Sequence, residues 1–355
     1  MARGETVWPG RGVTAPTAAN FAGRQAGVDV AELVRACKGS QVTTYRLGNA
    51  TLAVRCATDR HAAWFAPGIR HLLGPAGPGP RLEIAVDDDC GVFDGLESQQ
   101  KMEGWPRYRI GDGHGVVGAV WPRAGMGGLV DRECGKGIVW VRNPETALPA
   151  DAANVFRGLV AWWLRAPSYA LAHSAAVAGA AGAALVVGPS GSGKSSSAVA
   201  AAAHGLAFLG DDTVLLDIDR TEVLSLCREA NLCTADLAIR HPRLVSGARG
   251  GDRDGKCFVA VEAGGLRVST RAPIRAFVRP IRALGREPDL VPVERSRLLM
   301  TLAPSSLLSI PGADRGAFAA LSALVRRLPA YELHLTGDPA SDTVPLVELL
   351  GGPPE

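Results

Sequence analysis

The stretch that decides the fold runs from residue 184 to residue 203 and reads ALVVGPSGSGKSSSAVAAAA. An apolar run, a glycine-rich loop and an alanine-rich segment follow one another, which is the strand, loop and helix order of a P-loop unit. Residues 188–195 satisfy the pattern G-x-x-x-x-G-K-[ST]. The loop and the residue after it are Gly188, Pro189, Ser190, Gly191, Ser192, Gly193, Lys194, Ser195 and Ser196. This order predicts an α/β fold with a phosphate-binding loop.

Each part of this loop has a chemical role in binding phosphate. Glycines adopt backbone conformations that other residues resist, so that successive N–H groups can point at phosphate oxygens. The following helix directs its positive end at the same place. We expect Lys194 to reach the β- and γ-phosphates of ATP and the Ser195 hydroxyl to bind Mg²⁺. The loop alone does not separate a kinase from an ATPase, a GTPase or a transporter subunit.

An acidic pair and a histidine flank the loop in sequence. Asp211 and Asp212 follow Gly210 at the end of a short apolar segment. One carboxylate there can hold magnesium, directly or through water, and the other can accept a proton from an attacking hydroxyl. His173 precedes the loop, and a hydrogen-bonded His–Asp arrangement is a reasonable prediction. An exposed turn and a structural histidine are the alternative interpretations.

The stretch from His173 through the loop to Asp212 resembles the catalytic core of the HPr kinase/phosphorylase family. That family resembles phosphoenolpyruvate carboxykinase around the nucleotide. Its core has a histidine, a loop of the form G-x-S-G-x-G-K-S and an acidic pair in the same order. The resemblance implies that Asp211 activates a serine hydroxyl as a base, with Lys194 on the phosphates. It also implies that His173 and Asp212 orient the site, with Ser195 and Asp212 as the magnesium ligands.

The implied activity is an ATP-dependent kinase that phosphorylates a serine-type hydroxyl of a peptide or protein, for example in peptide natural-product biosynthesis. A small-molecule kinase and a regulatory nucleotide-binding ATPase without a phosphoacceptor remain open. The E-I-R-G-x-G signature of the bifunctional family is matched only by the Ala-Ile-Arg at residues 238–240, so phosphorylase activity is not expected. The family forms hexamers, but the N-terminal half of this chain differs, so no oligomeric state is carried over.

Three basic residues beyond the core are candidate contacts to the phosphates or the acceptor. Arg240 retains the arginine of that signature, although a surface arginine is an equal interpretation. Arg253 and Lys256 belong to a polar, glycine-rich stretch (residues 247–256) that we expect to be mobile. It could close over the γ-phosphate or remain a solvent loop.

The rest of the chain divides at a turn-like stretch near residue 148. Residues 1–27 are predicted to be a flexible arm, residues 28–148 an α+β lobe with mostly antiparallel strands, and residues 149–355 the catalytic domain. A helix over residues 151–165, capped by Asp151, carries Trp162 and Trp163 on a face that is typical of a core. The acidic run at residues 87–89 is more typical of a solvated turn than of a metal site.

Bulk composition excludes several classes of function. The 355-residue chain has a formal net charge of +3, which gives no electrostatic case for nucleic acid or an anionic membrane. The longest apolar run, residues 175–187, is too short to span a bilayer, so a soluble cytoplasmic protein is expected. Seven cysteines occur without any C-x-x-C pair, which does not suggest a zinc site or a disulfide framework.

Overall fold

The computed structural model describes residues 29–88, 108–111, 115–121, 125–147, 149–165, 167–251, 255–310 and 315–354. The predicted arm at residues 1–27, and Arg253, lie outside the described residues. What is described is a mixed α/β fold with mixed sheets. None of the helices in the described part of the chain has the length and apolar character that crossing a bilayer requires.

The N-terminal lobe is built on a seven-stranded sheet in the order β1-β2-β3-β7-β6-β5-β4. Its strands are β1 (Val42–Leu47), β2 (Ala50–Cys56), β3 (Arg81–Asp87), β4 (Tyr108–Gly111), β5 (Val116–Trp121), β6 (Met126–Asp131) and β7 (Lys136–Val141). Its helices are α1 (Val30–Ala36), α2 (Asp59–Phe65) and a 3-10 turn (Pro67–Leu72), and α3 (Pro149–Trp163) follows this lobe in the chain. Only the β2–β3 and β3–β7 pairs are parallel within this sheet, so the predicted predominance of antiparallel pairing is confirmed.

Helix α3 joins the two lobes through one hydrophobic core. It packs on β5 and β6 of the N-terminal lobe. Its apolar side chains belong to the same buried cluster as Leu215 and Leu226 of the C-terminal lobe. Trp162 is 2% exposed, which confirms its predicted place in the core. The helix begins two residues before the predicted start, so Asp151 lies in its first turn instead of capping it.

The C-terminal lobe contains a nine-stranded mixed sheet and a smaller three-stranded one. The large sheet consists of β8 (Tyr169–Ala172), β9 (Ser174–Gly179), β10 (Gly182–Val187), β11 (Ala207–Gly210), β12 (Val214–Asp217), β13 (Glu222–Leu224), β17 (Arg271–Arg282), β18 (Leu290–Pro292) and β19 (Ala330–Leu335). Strands β10, β17 and β19 run parallel side by side. Their carboxyl ends therefore meet at one edge, where ligands of open α/β sheets commonly bind.

The small sheet has the order β14-β16-β15, and helices pack against strands of both sheets. Its strands are β14 (Glu229–Cys233), β15 (Ala248–Gly251) and β16 (Lys256–Ala260). The helices of this lobe are α4 (Lys194–Ala203), α5 (Thr234–Arg240), α6 (Arg295–Ser309), α7 (Arg315–Arg327), α8 (Pro339–Asp342) and α9 (Val344–Leu349). The prediction that residues 247–256 form one loop was wrong for residues 248–251 and for Lys256, which lie in strands β15 and β16. Backbone pairing of β15 with β16 draws these residues into a hairpin.

Candidate functional site

The glycine loop (residues 188–195) connects β10 to α4, as the sequence predicts. Gly191 and Gly193 have φ angles of 78° and 99°, a region that favours glycine. A Cβ added to Gly193 would lie 2.8 Å from Leu335 Cδ1 on the neighbouring strand β19. At Gly188, an added Cβ would lie 2.4 Å from Ser192 Oγ. The positive φ angles therefore favour glycine at residues 191 and 193, and a side chain at residue 188 or 193 would require Ser192 or Leu335 to move.

Lys194 folds back over the loop that precedes it. Its Nζ donates hydrogen bonds to the carbonyl oxygens of Gly188, at 2.8 Å, and Pro189, at 3.1 Å. Burial lowers the pKa of Lys194, whereas the carboxylates of Asp211 and Asp212 oppose that shift. The ammonium group therefore lies between the loop and the acidic pair, where a phosphate oxygen could replace a carbonyl as its acceptor.

A cleft of about 480 Å³ brings the predicted residues together. Residues of its lining that the sequence singled out are His173, Ser190, Gly191, Ser192, Gly193, Lys194, Ser195, Ser196, Asp211, Asp212, Arg240 and Lys256. Gly188 and Pro189 contact Lys194 through their carbonyl groups. The volume is within the range of roughly 300–1,000 Å³ that is typical of small-molecule sites.

Asp211 is the more deeply buried carboxylate of the pair, at 4% exposed. Its Oδ2 accepts a hydrogen bond of 2.9 Å from the backbone N–H of Asn231 on β14. Its Oδ1 has no hydrogen-bond partner among the residues that the structure describes. Burial raises the pKa of Asp211, and the Asn231 N–H and the Ser195 hydroxyl oppose that rise. A buried carboxylate with an unused oxygen and a raised pKa is well suited to accept a proton.

Asp212 has the opposite electrostatic character. The guanidinium of Arg157 donates a hydrogen bond to its Oδ2, and His173 Nδ1 lies 3.4 Å from its Oδ1. Burial raises the pKa of Asp212, but Arg157 and His173 outweigh it and bring the pKa to about 2. Asp212 is therefore an anion at neutral pH. Its φ angle of 64° places it in the left-handed region, a backbone strain that is often found at functional sites.

Arg157 is a site residue that the sequence analysis missed. It lies on α3, which packs against the N-terminal lobe, and its side chain is 12% exposed. Besides Asp212 it donates to Thr213 Oγ1 at 3.1 Å, and its Nε donates to the Ala153 carbonyl at 3.2 Å. The available signal was a single arginine within the otherwise apolar second half of a helix, since a buried cation needs a partner.

The backbone of His173 is bound by helix α6, a contact that the sequence analysis did not predict. Its N–H donates a 3.0 Å hydrogen bond to Ser306 Oγ on α6, and Ser306 is 1% exposed. Burial lowers the pKa of His173, although the nearby Asp212 opposes this shift. A neutral imidazole that donates from Nδ1 to Asp212 fits both observations.

The remaining candidates lie at the rim of the cleft or away from it. Arg240 is exposed and donates to the Gly337 carbonyl at 3.4 Å, while Lys256 is half-buried at the start of β16. Within the described ranges, no three His, Cys, Asp or Glu side chains come together as a metal site. A magnesium ion at Ser195 and Asp212 would thus take other ligands from phosphate and water, as it commonly does. In the acidic run, Asp88 lies 3.3 Å from His61 Nε2.

Comparison with known proteins does not assign the chain to a family. Neither the protein-family models nor the curated proteins compared with the chain include a match. The chemistry of the cleft is therefore the basis for a functional assignment.

Proposed function

We propose that this chain is an ATP- and magnesium-dependent kinase that transfers the γ-phosphoryl group to a serine-type hydroxyl of a peptide or protein. The main support is the contrast between Asp211 and Asp212, which face the glycine loop in one cleft. One carboxylate has a free oxygen and a raised pKa, and the other is an anion paired with Arg157. Pairs of acids with opposed pKa shifts are typical of acid–base catalysis.

The proposal extends to family and location. The order of histidine, glycine loop and acidic pair resembles HPr kinase, and we propose that residues 149–355 are a related kinase core, with an N-terminal α+β lobe. ATP-dependent transfer fits a cytoplasmic location. Free thiols are also typical of that compartment, and the cysteines that the structure describes are all free.

Binding would use the loop and Lys194. The loop N–H groups and the positive end of α4 would hold the phosphates, and Lys194 would exchange its carbonyl contacts for the β- and γ-phosphate oxygens. Magnesium at Ser195 and Asp212 would supply positive charge to the same oxygens. Asp212 can serve there because Arg157 and His173 keep it ionised and fixed in position.

In the transfer step, the acceptor oxygen forms a bond to the γ-phosphorus while the bond from that phosphorus to the β–γ bridging oxygen breaks. The hydroxyl proton passes to Asp211, whose Oδ1 has no other hydrogen-bond partner in the described structure. ADP leaves with the electron pair of the broken bond. Positioning and electrostatic stabilisation supply most of the acceleration in such reactions.

The test measures magnesium-dependent transfer of the γ-phosphate to serine-containing peptides and to a panel of metabolites. We expect Asp211→Asn to bind ATP but to lose about 10²–10⁴-fold in transfer, the usual contribution of a general base. Lys194→Ala should lose ATP binding. Asp217→Asn is the matched control, because Asp217 is a buried aspartate of the same lobe that pairs with Arg220 outside the cleft.

Three results would contradict parts of this proposal. Transfer by Asp211→Asn at the wild-type rate would remove the base assignment. Transfer to a metabolite and to no peptide would make the chain a small-molecule kinase. Release of inorganic phosphate with every acceptor left unmodified would indicate a regulatory ATPase.

A further inference from the structure

A second pocket, of about 350 Å³, lies between the lobes, and we call it the interlobe pocket. The residues of its lining used below are Phe65, Gly68, Ala153, Phe156 and Glu229. Its walls are largely apolar and aromatic, and Phe156 meets Phe65 edge-on with ring centroids 6.2 Å apart. Such walls favour an apolar occupant.

The interlobe pocket is connected to the catalytic carboxylates by the two elements that line it. On α3, Phe156 and Ala153 line the pocket, while the next residue, Arg157, donates to Asp212. The Arg157 Nε also donates to the Ala153 carbonyl. The interlobe pocket and the residue that fixes Asp212 therefore lie on adjacent residues of one helix.

Strand β14 makes the corresponding connection to Asp211. Glu229 lines the interlobe pocket, whereas Asn231 lines the catalytic cleft and its N–H binds Asp211. Residues two apart on a strand face the same side and are separated by about 7 Å. An extended peptide advances by the same distance over two residues, so it could reach from the cleft to the interlobe pocket.

The interlobe pocket is large enough to hold an apolar side chain. Its volume is near the lower limit of the roughly 300–1,000 Å³ found for small-molecule sites. A cavity of about 150 Å³ holds a benzene ring, so the interlobe pocket has room for one leucine or aromatic side chain together with part of its backbone.

We propose that the interlobe pocket binds a large apolar side chain of the phosphoacceptor peptide, about two or three residues from the serine that is phosphorylated. This inference rests on the proposed kinase function and adds acceptor specificity to it. It assigns the N-terminal lobe the task of selecting the acceptor, because α2 and the following 3-10 turn form one wall of the pocket.

The experiment uses the full chain with synthetic peptides that contain one serine in an alanine–glycine background. Each peptide carries phenylalanine, leucine or asparagine at one position on either side of the serine. We expect kcat/KM to rise about tenfold or more with phenylalanine or leucine two or three residues from the serine, through a lower KM. Asparagine at the same position should give no gain.

Gly68→Leu tests the interlobe pocket directly, because its added side chain should occupy the space. A Cβ on Gly68 would meet no atom closer than Glu229 Oε2 at 4.0 Å, and the residue does not have a positive φ. The matched control, Gly74→Leu, adds the same side chain outside the pocket, where a Cβ would meet nothing closer than Arg46 at 3.6 Å. Gly68→Leu should abolish the apolar preference, and Gly74→Leu should retain it. Both should keep the wild-type rate of ATP hydrolysis without peptide, which also reports correct folding.

The outcomes separate this inference from the proposed function. The kinase assignment would stand, but the proposed role of the interlobe pocket would be refuted, by either of two results. One is a wild-type enzyme that phosphorylates peptides without positional preference, and the other is a Gly68→Leu variant that retains the preference. If Gly68→Leu, but not Gly74→Leu, changed the rate of ATP hydrolysis without peptide, the pocket would be an effector site, and its proposed role in acceptor binding would be refuted. ATP hydrolysis without phosphorylation of any peptide would remove the proposed peptide kinase itself.

Discussion

Replacement of Arg157 by glutamine should show how strongly helix α3 holds Asp212. The change removes the guanidinium that donates to Asp212 and Thr213. A hydrogen bond to a charged group contributes about 1.5–3 kcal/mol. The drop in the pKa of Asp212 from 3.8 to about 2 corresponds to about 2 kcal/mol. Breaking a fully buried ion pair by removing one partner costs about 3–5 kcal/mol. The Asp212 side chain is 31% exposed, so we expect Arg157→Gln to lower the free energy of unfolding by less, about 2–3 kcal/mol.

Urea unfolding at pH 7 would measure this loss, with Asp212→Asn and the double variant completing a thermodynamic cycle. We expect a coupling free energy of about 2 kcal/mol between the two positions. The folded pKa of Asp212 lies below its unfolded value, so this stability is present above pH 3.8 and is lost as the pH falls toward 2.

The matched control is Arg220→Gln, which removes a half-exposed arginine from Asp217 and should cost less than Arg157→Gln. Additive losses in the cycle, within about 0.5 kcal/mol, would refute the claim that Arg157 and Asp212 form one electrostatic unit.

Two further predictions concern the glycine loop and the boundary between the lobes. Gly193→Ala should weaken Mg-ATP binding at least about tenfold in calorimetry, because its φ of 99° disfavours alanine and its Cβ would force Leu335 Cδ1, 2.8 Å away, to move. Gly285→Ala is the control, since it has a similar φ of 79° and open space, and equal weakening by both would contradict the steric reason. Burial lowers the pKa of His71 from 6.5 to about 3, so between these pH values the unfolded chain binds a proton that the folded chain does not. The free energy of unfolding should therefore fall as the pH is lowered from 6.5 toward 3, by up to about 1.4 kcal/mol per pH unit. His71→Gln, which can still bond Ser225, should flatten that slope in urea unfolding, and an unchanged slope would assign it to other groups.

The central strand, loop and helix could be predicted from the sequence because they depend on local patterns. The apolar run, the glycines and the alanine-rich segment each specify a short element, and they fall in β10, the loop and α4 in that order. Strand β6 is hard to predict from local sequence, because it opens with Met126-Gly127-Gly128, a poor strand-forming sequence. The ring of Trp140 packs directly over Gly127, where an added Cβ would lie 2.0 Å from the ring.

The partners of the acidic pair could not be predicted, since they depend on contacts between distant parts of the chain. The sequence indicated that Asp211 and Asp212 follow a strand near the loop, but both carboxylates have the same local pattern. Their difference comes from Arg157 on α3 and from the backbone of Asn231 on β14. No periodicity connects these segments, and only the folded arrangement distinguishes an acid with a free oxygen from a paired anion.

The most direct test of the central claim follows the γ-phosphate of labelled ATP in a single turnover with a serine-containing peptide and magnesium. We predict that the label appears in phosphoserine in the wild-type reaction and in the Asp217→Asn control. Asp211→Asn should retain bound, unreacted ATP. Label found only in inorganic phosphate, with the peptide unmodified and Asp211→Asn as active as the wild type, would contradict the assignment of this cleft as a kinase site.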